Sequence, residues 1–311
     1  MKLIIQIPCY NEEESLPVTV AELPKRIDGI DQVEILVIDD GSTDETVKVA
    51  ESDGVNHIVS LSQNTGLANA FAVGIENCLQ QGADILVNTD GDNQYCGADV
   101  PKLIEPILAG KADVVIGERP IEEIPHFPWM KKKILKLGGW IVRRLTRIEV
   151  EDVVSGFRAY SKEAARKMNI LTDYSYTLEN LIQLRHQGVR IVSVPIQTNE
   201  RLRESRLIRS VPKYIASQVA TLLRVYTTYK ALRVFTILGL LVMIPGFIGF
   251  TRFLYFYYIM DDGQGHVQSL IFSVVFLNVG FLILVFGILA DLVGSNRKLM
   301  EKALYQLKKN E

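Results

Sequence analysis

The chain has 311 residues, room for one large domain with a smaller attachment. With 48% apolar residues, 23% charged residues and a net charge of −2, neither a disordered chain nor an overall basic nucleic-acid binder is expected. The mean hydropathy of +0.15 is high for so charged a chain, and the excess is local: residues 234–251 and 267–290 hold no Asp, Glu, Lys or Arg, which excludes a simple soluble protein.

Up to about residue 200, short apolar runs alternate with helical stretches, the pattern of β-α-β units around a largely parallel sheet. Strands are expected at Leu3–Pro8, Val33–Ile38, His57–Leu61, Asp84–Asn88, Asp113–Gly117 and Arg190–Ile196. Helices are expected near Glu12–Ile27, Thr43–Ser52, Leu67–Gln81, Ala98–Leu108, Lys162–Met168 and Leu178–His186. In such sheets ligands sit at the carboxyl ends of the strands, so the polar residues there are where chemistry is sought.

Two apolar spans follow, about Val234–Met260 and Val267–Val293, joined by a short acidic turn. A helical hairpin is the economical reading. Lys230 and Arg233 precede it and Arg297, Lys298 and Lys302 follow it, so the positive-inside rule places both chain ends and the main domain in the cytoplasm. Arg252 interrupts the first span near its outer end, where it can snorkel beside Tyr255, Tyr257 and Tyr258. No secretory leader is expected, and Cys9, Cys78 and Cys96 show neither disulfide nor zinc spacing.

Three strand ends carry candidate chemistry. Pro8-Cys9-Tyr10-Asn11-Glu12 offers an aromatic face, an amide and carboxylates, although an acidic helix start reads the same way. Asp39-Asp40-Gly41-Ser42 delivers two adjacent carboxylates, with Ser42 or Thr43 available to cap the next helix. Asp90-Gly91-Asp92 places carboxylates at i and i+2, the geometry a hard divalent cation takes together with phosphate oxygens; a solvated Asx turn is the alternative.

In this order, Pro8-x-Tyr10-Asn11-Glu12, Asp39-Asp40-Gly41-Ser42 and Asp90-x-Asp92-x-Gln94 resemble glycosyltransferase family 2 of the GT-A fold. With the hairpin and the Thr198–Arg206 segment, the chain is similar to polyprenyl-phosphate hexosyltransferases of the dolichyl-phosphate mannose synthase type. The resemblance implies an α/β, Rossmann-like nucleotide-sugar domain over 1–207, a juxtamembrane helix at 208–233, transmembrane helices within 234–293 and a cytosolic tail at 294–311. It implies inverting transfer from a UDP- or GDP-hexose to dolichyl or undecaprenyl phosphate, with Mg²⁺ or Mn²⁺ and no nucleic-acid partner. A homo-oligomer is also compatible.

Residue by residue, the resemblance gives Pro8, Tyr10, Glu12, Val37, Asp39, Asp40, Gly91 and Gln94 to the nucleotide sugar, and Asp90 and Asp92 to the metal. Arg119 matches an arginine on the sugar or phosphates, and is grouped with Asp92 as catalytic, while Arg201, Arg203 and Arg206 close on the diphosphate. For the acceptor, the segment Trp129–Ile148 has seven basic residues, no acid and both tryptophans, and reads as an amphipathic helix at a membrane surface. Arg143, Arg144 and Arg147 there, with Ser155 and Arg158, are the acceptor-phosphate candidates. The rival readings are a processive polysaccharide synthase, which would show Gln-x-x-Arg-Trp and more spans, and a non-catalytic membrane scaffold.

Overall fold

The run Leu3-Ile4-Ile5-Gln6-Ile7 is rich in β-branched isoleucine, and in the computed structural model it becomes a strand in the interior of a sheet, buried from Leu3 to Cys9. The structure describes residues 1–120, 150, 152–170, 176–200, 230–260 and 266–310. The basic segment 129–148 with Arg143, Arg144 and Arg147, the run holding Arg201, Arg203 and Arg206, most of the juxtamembrane stretch and the turn between the spans lie outside the described residues. The chain divides into two units, Met1–Thr221 and Leu222–Glu311.

In the first unit the strands are β1 (Lys2–Cys9), β2 (Gln32–Asp39), β3 (His57–Ser60), β4 (Ile85–Asn88), β5 (Val114–Glu118), β6 (Arg158–Ser161) and β7 (Ile191–Pro195). They form a seven-stranded sheet in the order β3-β2-β1-β4-β6-β5-β7. Pairing is parallel except around β6, which is antiparallel to both β4 and β5. All six expected strands are present within a residue or two. β6 was not expected: four residues beginning with Arg158 carry no alternation of their own, and their pairing is set by distant strands on either side.

The helices are α1 (Leu16–Glu22), α2 (Thr46–Ser52), α3 (Leu67–Gln80), α4 (Val100–Leu108), α5 (Lys162–Lys167) and α6 (Tyr176–His186). α1 is shorter than its sequence window because Pro17 sits in its first turn and Leu23, the residue before Pro24, is extended. The core that fixes the strand ends in place is aliphatic, with Leu3, Ile5, Ile7, Val37, Ile85, Val87, Leu103 and Val115 packed between sheet and helices.

The second unit contains α7 (Ala231–Tyr258) and α8 (Val267–Asn310). Both are long and apolar enough to cross a membrane. Their large side chains face outward: Leu241 is 56% exposed, Ile248 62% and Phe281 58%, as suits helices solvated by lipid rather than by a protein core. They meet through small residues. A Cβ placed on Gly239 would lie 2.9 Å from the Gly280 carbonyl oxygen, and one on Gly280 would lie 2.9 Å from the Gly239 carbonyl oxygen, so the two backbones touch where no side chain fits. α8 does not stop at the expected end of the span near Val293; it continues unbroken for 44 residues.

Candidate active site

The loops after β1 and β2 are locked together by side chain to backbone bonds. The Asn11 N–H donates to Ser42 Oγ at 2.9 Å and the Thr43 N–H donates to Asn11 Oδ1 at 2.8 Å. Ser42 and Thr43 therefore tie the two strand ends rather than cap α2, whose Thr46 N–H is taken by Asp44 Oδ1. Asn11 holds φ 55°, a left-handed conformation that Asn tolerates better than most residues, and Asn93 beyond β4 does the same at 54°. Glu12 is anchored by its own N–H to Thr46 Oγ1 at 2.8 Å, and its Oε2 accepts from Ser15 Oγ at 2.7 Å.

β2 ends on two buried carboxylates. Asp39 Oδ1 accepts the Ser42 N–H at 2.9 Å. Asp40 Oδ1 accepts from the backbone and hydroxyl of Thr65, each at 2.8 Å, and Oδ2 accepts the Gly66 N–H at 2.8 Å. Asp40 thus organises the loop that opens α3.

β4 delivers Asp90 and Asp92, both half-buried, on either side of Gly91. A Cβ on Gly91 would meet Cys9 Sγ at 3.0 Å, so glycine lets this loop lie against the end of β1. The Gly91 carbonyl oxygen is 2.7 Å from Ser15 Oγ. Asp92 is oriented by Gln94, which donates its Nε2 at 2.9 Å to Oδ2 and its backbone N–H at 3.2 Å to Oδ1.

These strand ends share a cavity of about 270 Å³, walled by Pro8, Cys9, Tyr10, Glu12, Asp40, Asn64, Gly66, Leu67, Ala70, Asp90, Gly91 and Asp92. Burial and the charges of Glu12, Asp39 and Asp90 push the Cys9 thiol well up, so it stays neutral there. Among the described residues no group of three or more His, Cys, Asp or Glu comes together as a self-sufficient metal cage. A carboxylate pair is nevertheless the complement that Mg²⁺ or Mn²⁺ takes when substrate phosphates complete its shell. The fit has a further mark: a Cβ on Gly156 would lie 3.1 Å from both Asp90 carboxylate oxygens, so a glycine there keeps side-chain bulk off them.

Beside this pair, Arg119 extends from the end of β5. Its Nε and Nη2 donate to Asp152 at 2.6 and 3.1 Å, and its Cζ stands 5.9 Å from the centre of the Tyr95 ring. Asp152 is 1% exposed, and this bidentate pairing meets the charge that its burial isolates.

The family model for glycosyl transferase family 2 matches residues 4–168, more than half of the chain and every strand end just described up to β6. The chain belongs to this family. The family 2 glycosyltransferase is 32% identical over 219 residues to the undecaprenyl-phosphate mannosyltransferase of Micrococcus luteus, covering 67% of this chain and 88% of that one. It is 30% identical over 217 residues to the UDP-N-acetylglucosamine–dolichyl-phosphate N-acetylglucosaminyltransferase of Methanococcus voltae, covering 62% and 83%. Among solved structures it resembles glucosyl-3-phosphoglycerate synthase of Mycobacterium tuberculosis in complex with Mn²⁺, UDP and glucosyl-3-phosphoglycerate, at a TM-score of 0.57 and 21% identity, covering 72% and 79%. The α/β domain of the glycosyltransferase has the GT-A fold.

Within this glycosyltransferase several sequence expectations need correction. Val37 is wholly buried in the core and its side chain is not part of the cavity wall. Arg158, expected at the acceptor phosphate, is also wholly buried, and donates Nε, Nη1 and Nη2 to the carbonyl oxygens of Ser155, Thr177 and Val153. Ser155 is buried beside it, so neither side chain presents a surface to a lipid phosphate.

Sequence reasoning missed Tyr95, Asn88, Asp152 and Gly156. Asn88 Nδ2 donates to the Gly156 carbonyl oxygen at 2.8 Å, and the Gly156 N–H donates to Tyr95 Oη at 2.9 Å. Burial foremost pushes the Tyr95 phenol up to about 12, so it remains protonated. The only sequence signal for these residues was their nearness to the Asp-x-Asp motif and to the Ser155-Gly156-Phe157 run.

Proposed function

We propose that this glycosyltransferase moves a hexose, with inversion at the anomeric carbon, from a UDP- or GDP-sugar to a polyprenyl phosphate. The observation that carries the reading is the shared cavity, whose wall holds Asp90 and Asp92 together with Tyr10 and Glu12. The lipid acceptor is supported by the two apolar helices and by relatives named for undecaprenyl and dolichyl phosphate.

Pro8, Tyr10, Glu12 and Asp39 hold the nucleoside, with Asp40 acting through the Thr65–Gly66 loop. Asp90 and Asp92 would hold Mg²⁺ or Mn²⁺, which when bound supplies Lewis-acid stabilisation of the departing nucleoside diphosphate. Arg119 lies beside the carboxylates, held by Asp152, to meet sugar or phosphate oxygens. Arg201, Arg203 and Arg206 are assigned to the diphosphate, and Arg143, Arg144 and Arg147 to the lipid phosphate, as paired cations for anionic oxygens.

A phosphate monoester carries about −1.5 to −2 charge at neutral pH and is already a nucleophile. The chain therefore needs no strong general base, and its acids are left to hold a cation and to build loops. The reading puts the catalytic unit and both chain ends on the cytoplasmic side, supported by the basic residues at the outer ends of α7 and α8.

The test is transfer to undecaprenyl and dolichyl phosphate by the purified full chain, with labelled UDP-glucose, GDP-mannose and UDP-N-acetylglucosamine, with Mg²⁺ or Mn²⁺ and again with EDTA. Lipid-linked product from one donor, lost with chelator, is expected. Absence of product with every donor, or product undiminished by EDTA, overturns the corresponding part of the reading.

A further inference from the structure

Resting on the proposed metal-dependent transfer, we propose that Tyr95 is a positioning residue for the reaction, acting on the Asp90 carboxylate through the Gly156 peptide. The Gly156 backbone is fastened on both sides of its Cα. Its N–H donates to Tyr95 Oη at 2.9 Å, and its carbonyl oxygen accepts from Asn88 Nδ2 at 2.8 Å. Asn88 is in turn held by Gln6 Nε2 at 2.9 Å from the central strand. Between these two bonds the glycine Cα faces Asp90, with the ideal Cβ position 3.1 Å from each carboxylate oxygen and 3.3 Å from Tyr176 Oη.

The peptide plane between Ser155 and Gly156 is held on both edges, since the Ser155 carbonyl oxygen accepts Arg158 Nε at 2.7 Å, so it cannot rotate without breaking a buried bond and the backbone against Asp90 is fixed. Tyr95 is placed to do this by more than one contact. Its ring stacks on Phe157 with centroids 5.2 Å apart, and residue 95 bridges Thr198, while the Asn199 N–H donates to the Gln94 carbonyl oxygen at 3.0 Å. The opposite edge of the same neighbourhood carries Arg119, 5.9 Å from the ring centre. One side chain thus sets the distance between the residue that would meet sugar or phosphate oxygens and the carboxylate that would hold the cation.

The phenol serves Gly156 as an acceptor: it receives that N–H, and no step of the transfer needs it to ionise. Removing only that oxygen leaves ring, stacking and bridge in place but strands a buried N–H, which frees the peptide to tilt toward Asp90.

The experiment measures Mn²⁺ binding directly, by loss of the free Mn²⁺ electron paramagnetic resonance signal, on the full chain in detergent with UDP and separately with GDP. Tyr95→Phe is expected to weaken Mn²⁺ binding about tenfold, the equivalent of one lost buried hydrogen bond. Nucleotide affinity without metal is expected to stay within about twofold, since the altered oxygen faces Gly156 and not the cavity. Gly156→Ala, which approaches the same carboxylate directly, is expected to weaken Mn²⁺ binding at least as much. Tyr160→Phe removes an equally buried phenol that bonds no neighbour of Asp90, and binding should remain native.

Native Mn²⁺ affinity in a folded Tyr95→Phe protein overturns the proposal. If that variant does not fold, Gly156→Ala decides, and native affinity there overturns it equally. Failure of the unmodified chain to bind Mn²⁺ with either nucleotide removes the metal-dependent reading itself, an outcome distinct from the other two.

Discussion

Two strands that flank the central β1 are each followed at their ends by a pair of aspartates, and the pairs do different work. Asp39 and Asp40 are consecutive, 3% exposed, and filled by N–H donors from the loops at Ser42, Thr65 and Gly66. Asp90 and Asp92 are separated by one glycine and half-buried, and Asp92 is steered by Gln94. Adjacent residues on an extended chain point to opposite faces, so a consecutive pair is divided between two loops. Asp90 and Asp92, set around a glycine in the turn that follows β4, both line the cavity. Spacing, more than acidity, separates scaffold from chemistry here.

The sharpest way to break this contrast is to remove one member of each pair. Asp92→Ala is expected to lower transfer at least about a thousandfold, because the several kcal/mol of charge stabilisation supplied at that point is lost. Its melting temperature should stay within about 4 °C of the native protein, as for a partly exposed side chain whose bonds are to its near neighbour Gln94. Full activity in this variant, read by lipid-linked product, would sink the metal assignment.

Asp40→Ala should show the reverse emphasis. Three donors, the Thr65 N–H, the Thr65 hydroxyl and the Gly66 N–H, lose their acceptor. A loss of about 2 to 3 kcal/mol in urea unfolding is expected, with a smaller fall in activity through the displaced start of α3. Retention of native stability would show that the loop holds itself.

A third aspartate sharpens the contrast by belonging to neither pair. Asp113, at the start of β5, takes Arg190 as its partner, and that hydrogen-bonded guanidinium holds its carboxyl below the usual range. A lowered folded-state pKa adds stability that is present above the unfolded value, about pH 4, and is lost as pH falls through the folded value. Both groups are partly exposed, so Asp113→Asn should cost about 0.5 to 1 kcal/mol at pH 7. Melting curves of the two proteins should converge below about pH 4; a constant gap would assign the effect to packing.

Much of this architecture is legible in the sequence because its signals are local. Six strands announce themselves as short apolar runs, and the three motif-bearing strand ends fall together because parallel pairing puts their carboxyl ends on one side. β6 is illegible for the opposite reason: Arg158-Ala159-Tyr160-Ser161 becomes a strand only when β4 and β5 present both edges to it. Arg158 reads as a surface cation because nothing local shows that three carbonyl oxygens surround it. Tyr95 and Gly156 lie 61 positions apart, and their bond is a product of the fold. Val37 illustrates a matched position whose side chain, like those of Leu36 and Ile38 beside it, is buried in the interior.

The unbroken run of α8 has a mechanical consequence. Its 44 residues amount to about 66 Å of helix, of which a bilayer core takes up about 30 Å. The remainder is a rigid lever of roughly 35 Å, and a tilt of the span by about 10° to match a thinner bilayer would swing its far end by about 6 Å. Bilayer thickness is thereby converted into displacement at the end of the chain.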